Sequence, residues 1–126
     1  MTEPKRFLGS LVTIELGIGD ASQNRTWYTA LLGREPDVVL SDTFFEWEIA
    51  PDTWLQLAER PNGAGQGGPV RIQVESIDTT LAMLRARLPG LEVERDFEQI
   101  PGILRVCNIL DPSGNRVGLL EVREDA

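Results

Sequence analysis

The sequence predicts an α+β fold in which a βαβββ unit is laid down twice. Two segments alternate apolar and polar residues with the period of a half-buried strand, "LVTIELGI" at 11–18 and "PVRIQVES" at 69–76. Each leads into a stretch with helical spacing of apolar residues and a glycine stop, "DASQNRTWYTALLG" at 20–33 and "DTTLAMLRARLPG" at 78–90. Three short extended segments separated by turn residues follow each helix. Letter identity between the halves is slight, so the repeat is one of pattern.

In the first unit Val12, Ile14, Leu16 and Ile18 share one strand face, and Thr13, Glu15 and Gly17 the other. Asp20 caps the helix while Gln23, three residues on, is spaced to reach back in a capping box. Ala21, Trp27, Leu31 and Leu32 supply the inward face, and Gly33 takes the left-handed C-terminal position. Extended stretches are expected at Pro36–Leu40, Thr43–Ile49 and Thr53–Ala58, broken by Ser41-Asp42 and Pro51-Asp52. The run "RPNGAGQGG" at 60–68 then reads as a flexible surface loop and as the best internal boundary. In the second unit Val70, Ile72 and Val74 oppose Arg71 and Gln73, and the helix presents Leu81, Leu84 and Leu88 before Pro89-Gly90 stops it. Extended segments follow at Leu91–Phe97, Ile103–Leu110 and Asn115–Val122. The expectation is one domain over 1–126, with units at about 11–59 and 69–122 joined by the Gly-rich loop 60–68.

Composition limits the function. A chain of 126 residues, 41% hydrophobic and 25% charged, is long enough to bury a core without disulfides or metals. Its formal net charge of -8 opposes phosphate backbones and anionic membranes, so neither nucleic acid nor membrane is expected as a partner. Runs such as "WLQLA" are far short of the ~20 apolar residues of a membrane span. Cys107 is the one cysteine, and "MTEPKRFLGS" lacks the apolar centre of a signal peptide, which points to the cytoplasm. With no histidine, Ser-His-Asp and Cys-His nucleophiles are impossible. The usual imidazole and thiolate ligands of zinc, iron and nickel are lacking too.

The duplicated βαβββ order, "WYTALLG" on the first helix and "DPSGN" before the last strand together resemble the vicinal oxygen chelate superfamily, which includes glyoxalases, extradiol dioxygenases and bleomycin-resistance proteins. The similarity spans about Leu11 to Val122. It implies a cup-shaped, mostly antiparallel curled sheet with helices outside, a homodimer, and a ligand held inside on a divalent metal by four strand positions. Those positions match Thr13, seven residues before Asp20; Gln56 on the fourth strand; Pro69 at the start of the second unit; and Gly118, four residues beyond "DPSG". Thr13 and Gln56 are poor ligands, Pro69 has no donor atom and Gly118 has no side chain. The resemblance therefore implies a cup without its metal and with no cofactor, leaving at most a carboxylate-only Mg²⁺ or Mn²⁺ site.

The strand faces opposite the apolar rows would line the cup with Thr13, Glu15, Trp54, Gln56, Arg71 and Gln73, joined by Leu120 and Arg105. Glu15 is the catalytic candidate, because partial desolvation in mid-strand suits a carboxyl to proton transfer; its other reading is a salt bridge to Arg71 or Arg105. Trp54 is placed to stack on a flat ligand or to pack, whereas Trp47 shares a face with Phe45 and Ile49 and reads as core or dimer packing. Trp27 reads as core and Tyr28 as the edge of it. Gly63, Gly65 and Gly68 match G-x-G-x-x-G, but Pro69 and a strand follow, so no helix N-terminus awaits a phosphate; the loop serves as lid or linker. Three functions remain open. The first is a metal-independent small-molecule binding protein of the bleomycin-resistance type for a cationic or aromatic compound. The second is a metal-free lyase or isomerase in which Glu15 moves a proton and Arg71 or Arg105 steadies an oxyanion. The third is an interaction module with a closed cup, in which Trp54, Arg71 and Glu15 pack together.

Overall fold

The computed structural model describes residues 11–60 and 62–123. The first unit comprises strand β1 (Val12–Ile18), helix α1 (Ala21–Leu32) and strands β2 (Val38–Ser41), β3 (Phe44–Ala50) and β4 (Thr53–Glu59). The second comprises β5 (Val70–Gln73), α2 (Ile77–Arg87), β6 (Glu92–Ile100), β7 (Leu104–Leu110) and β8 (Arg116–Val122). Each unit forms its own four-stranded mixed sheet, ordered β1-β4-β3-β2 and β5-β8-β7-β6. Within each sheet the first strand runs parallel to the last, Glu15 opposite Gln56 and Arg71 opposite Gly118, and the other pairs are antiparallel. The α+β class and the doubled order are those expected; the strands form two separate sheets that are not closed into a barrel.

Local chemistry accounts for the helix limits. Asp20 Oδ1 accepts from the backbone N–H of Gln23 at 2.9 Å, and Gly33 at φ 79° sends its N–H back to the Thr29 carbonyl. Only half of the expected capping box forms: among the described residues the Gln23 side chain makes no return bond to the Asp20 N–H, and the next free donor, the Ala21 N–H, is met by Glu59 Oε2 at 3.3 Å. Helix α2 starts one residue earlier than its sequence suggested. Ser76 Oγ caps the Thr79 N–H, while Ile77 is fully buried and gives its N–H to Glu121 Oε1 at 2.7 Å.

Alternation decides which sheet face meets the helices. Leu16, Ile18, Phe45, Trp47, Leu55 and Leu57 cluster with Trp27 and Tyr28 of α1; Val70, Cys107, Ile109, Val117 and Leu119 join the same core with Ile77, Leu81 and Leu84 of α2. Trp47 is wholly buried and gives its indole N–H to the Arg34 carbonyl at 2.9 Å, satisfying its one polar group. Asn24, which the amphipathic pattern leaves out of the inward face, is also buried, donating to the Asp20 carbonyl and to Ser113 Oγ.

The two units are tied by the turn between β7 and β8. Asp111, 3% exposed, accepts at Oδ1 from the backbone N–H groups of Ser113 and Asn115, and at Oδ2 from Asn115 Nδ2 and from Tyr28 Oη, the last at 2.7 Å across the unit boundary. Tyr28 is thus central to the join, where its sequence position suggested only the edge of the core. Burial first, then the Asp111 charge and hydrogen bond, push the Tyr28 hydroxyl well above its ordinary value of 10.0. The folded chain therefore keeps a proton that the unfolded chain releases near pH 10, so this contribution to stability is complete below about pH 10 and shrinks above it. Melting temperature is expected to fall more steeply above that pH in the native chain than in Tyr28→Phe, measured by circular dichroism in parallel alkaline series.

Residues 62–68 are neither a free loop nor a lid. Asn115 Nδ2 donates to the Gly17 carbonyl and its Oδ1 accepts from Gly67 N, while Gly65 N donates to Gly17 O and Arg116 N to Gly67 O. The segment is a wedge between β1 and the 111–116 turn. Its glycines are spent on close approach and on positive φ, at Gly65 (79°) and Gly68 (90°), and not on mobility.

Candidate functional site

Turned away from the helices, the first sheet carries rows that cross three strands. Glu15, Gln56 and Glu46 stand side by side in one row, and Thr13, Trp54 and Glu48 in the next. Gln56 donates from Nε2 to Glu46 Oε1 at 2.8 Å. Glu15 is exposed and ion-paired with Arg60, a residue of the segment leaving β4, and not with Arg71 or Arg105 as the sequence suggested. An exposed, ion-paired carboxylate is poorly set up as a base. Trp54 is half-buried between Thr13 and Glu48, with no hydrogen bond from its indole among the described residues.

The second sheet repeats the arrangement with different residues. Arg71, Gly118, Asn108 and Arg95 form the row that corresponds to Glu15, Gln56 and Glu46; Gln73, Leu120, Val106 and Phe97 form the next, with Leu120 half-buried. The Arg71 side chain lies over Gly118: a Cβ there would stand 2.7 Å from Arg71 Cγ and 3.0 Å from Asn108 Oδ1. Gly118 thus leaves room for the aliphatic stem of its parallel neighbour.

Arg105 does not join this face. It shares its side of β7 with Cys107 and Ile109, is 16% exposed, and is fixed by Asp96 Oδ2 at 2.8 Å and Asp78 Oδ1 at 3.0 Å. The hydrogen bond from Arg105 holds the Asp96 carboxyl below its ordinary value, as expected of a structural pair. Burial pushes the neighbouring Cys107 thiol up, which suits packing and not nucleophilic chemistry.

An open cleft of about 770 Å³ lies where the units meet. Ile14, Leu32, Ile49 and Thr53 come from the first unit, and Pro69, Arg71, Ile72 and Gln73 from the second. Of the eight predicted lining residues it takes in Arg71 and Gln73; Thr13, Glu15, Trp54, Gln56 and Leu120 lie on the faces outside it, and Arg105 is on the helix side. Ile14, assigned to the core by alternation, is half-buried and forms part of the cleft wall.

No family model matches the chain, and no curated protein does. Solved structures do match. A glyoxalase/bleomycin resistance protein from Catenulispora acidiphila is 30% identical, superposes with a TM-score of 0.75, and aligns over 90% of this chain and 99% of its own. The chain belongs to the glyoxalase/bleomycin-resistance family. TnmS3, an antibiotic-binding protein from a Streptomyces species, shares the fold at 19% identity and TM-score 0.70, over 94% of this chain and 99% of its own. Lactoylglutathione lyase from Agrobacterium tumefaciens does so at 19% identity and TM-score 0.70, over 89% and 92%.

Membership in this glyoxalase/bleomycin-resistance family makes the metal positions a direct question of fit. Thr13 offers a neutral hydroxyl, the Gln56 amide is bonded to Glu46, Pro69 has no donor, and at Gly118 the space for a carboxylate holds the stem of a cationic side chain. Among the described residues no group of three or more His, Cys, Asp or Glu side chains converges on one point. The residues at these four positions do not fit a divalent cation. Sequence reasoning missed Asn108 and Arg60 at the site, because each becomes visible only through its cross-strand or loop neighbour.

Proposed function

We propose that this chain is a metal-independent small-molecule binding protein of the glyoxalase/bleomycin-resistance type. The observation that carries the reading is the Arg71 stem over Gly118: a guanidinium-bearing side chain occupies the ground where a family enzyme sets a metal carboxylate. Without a Lewis acid the work falls to shape, stacking and hydrogen bonds. The first sheet's outer row, Trp54 between Thr13 and Glu48 with Glu46 nearby, supports a cationic or aromatic compound there, in keeping with the net charge of -8. An open cleft beside Arg71, together with the pairing of Glu15 to Arg60, favours binding over a closed interaction module and over proton transfer by Glu15. The reading includes a cytoplasmic homodimer; the exposed Val39 and Leu40 of the β2 edge support such pairing.

Protein purified without chelator is expected to contain no stoichiometric metal by elemental analysis. Metal-free bleomycin, cationic and partly planar, is the probe: its affinity by calorimetry should be unchanged after exhaustive chelation and about tenfold weaker in Trp54→Ala. Stoichiometric metal, or binding lost on chelation, refutes the proposal.

A further inference from the structure

We infer that the second unit holds a separate site for a small organic acid, anchored by Arg71 and Asn108, with Arg71 also bordering the cleft between the units. The inference rests on the metal-independent reading above and adds a ligand class to it.

The repeat provides its own control. In the first unit the row Glu15–Gln56–Glu46 is satisfied internally, Glu15 by Arg60 and Glu46 by the Gln56 amide. In the corresponding row of the second unit, glycine replaces the middle side chain. Asn108 is 7% exposed and its Oδ1 is buried without a hydrogen-bond partner among the described residues, directed at the space above Gly118. Arg71, at the end of the row, makes no ion pair among the described residues. A buried carbonyl oxygen left unpaired is destabilising, and a ligand N–H or O–H placed there would relieve that. Arg71 is exposed, so its stem is able to rotate off Gly118 and admit that donor while its guanidinium receives an anion.

The cleft completes the description. Among the described residues its lining includes Arg71 and Arg34 but no Asp or Glu, and Ile14, Leu32, Ile49 and Ile72 give it apolar walls. Arg34 is already held by Asp37, so Arg71 is the cation available to a ligand. The chemistry selects a carboxylate with a hydrogen-bond donor on the adjacent carbon and an apolar tail. That differs from the cationic or aromatic compound suited to the Trp54 face, and places opposite preferences on the two units.

N-acetyl-L-phenylalanine is a suitable probe, compared with its primary amide, which lacks the acid, and with 3-phenylpropionate, which lacks the donor. By calorimetry on metal-free full-length protein the parent acid should bind about tenfold tighter than either control. Arg71→Gln should abolish the preference for acid over amide. Gly118→Ala, whose Cβ would crowd Arg71 Cγ and cover Asn108 Oδ1, should abolish the preference for the donor, with melting curves confirming that both variants fold. Equal binding of the three compounds, binding of none, or preferences that survive the substitutions would overturn the inference. Persistence of bleomycin binding in those cases would leave the metal-independent reading standing, and metal in the purified protein would remove that reading instead.

Discussion

Asp111→Ala is expected to destabilise the chain by about 3 kcal/mol or more, because several buried donors lose a charged acceptor at once, enough to leave a domain of this size marginal or unfolded. Among the described residues the buried carboxylate meets four donors and no cation: Ser113 N, Asn115 N, Asn115 Nδ2 and Tyr28 Oη. Its removal orphans the tyrosine hydroxyl at the unit boundary and the Asn115 groups, all buried. Asn115 also holds Gly17 and Gly67, so the loss spreads to the wedge between the units. Asp111→Asn keeps the volume but turns an amide NH₂ toward existing donors, and should recover only part of the loss. Urea unfolding at neutral pH measures these differences. Asp111→Asn and Tyr28→Phe combined should cost less than the sum of the two, because both break the same bond. A loss below about 1 kcal/mol for Asp111→Ala would mean that the turn does not join the units.

The join shows which features of the chain were legible beforehand. Strand alternation in "LVTIELGI" and the "DPSGN" turn are local signals, and local signals placed β1, β5 and the β7–β8 turn correctly. The side taken by Arg105 is carried by parity: Cys107 and Ile109, two and four residues on, are apolar and buried, and alternation puts Arg105 on the same core side of β7. Arg60 as the partner of Glu15 was not legible, since it depends on where the chain leaves β4 relative to β1. Separation into two sheets depends on packing between units, which periodicity does not encode. The metal positions, carried over residue by residue, pointed to Gly118, but its reason lies in Arg71 on the neighbouring strand. Asn108 stayed hidden because an asparagine in a strand says nothing of its partner until the facing residue is known to be glycine.

Glycine in 62–68 misled for a physical reason, and Gly68→Ala turns that reason into an expected loss of about 3 kcal/mol. Glycine has two uses, freedom in an unconstrained loop and access to conformations and distances that a Cβ forbids, and composition does not separate them. At Gly68 the φ of 90° disfavours any other residue, and a Cβ would strike the carbonyl of Arg116 and crowd its nitrogen. Backbone on backbone has no rotamer by which to escape, so the segment must move. That movement breaks the bond from Arg116 N to Gly67 O and shifts Pro69, the cleft residue just before β5, relative to Ile14 and Thr53 across the seam. Gly63→Ala is the control, because a Cβ there meets nothing within 4 Å, and its cost should stay near the left-handed penalty alone, about 1–2 kcal/mol. Chemical denaturation of the two variants separates the explanations: a wedge makes Gly68→Ala clearly worse and weakens N-acetyl-L-phenylalanine binding even where the fold survives, whereas a merely flexible linker makes the two alike. Equal, small losses at both positions would restore the loop to the role its composition suggested.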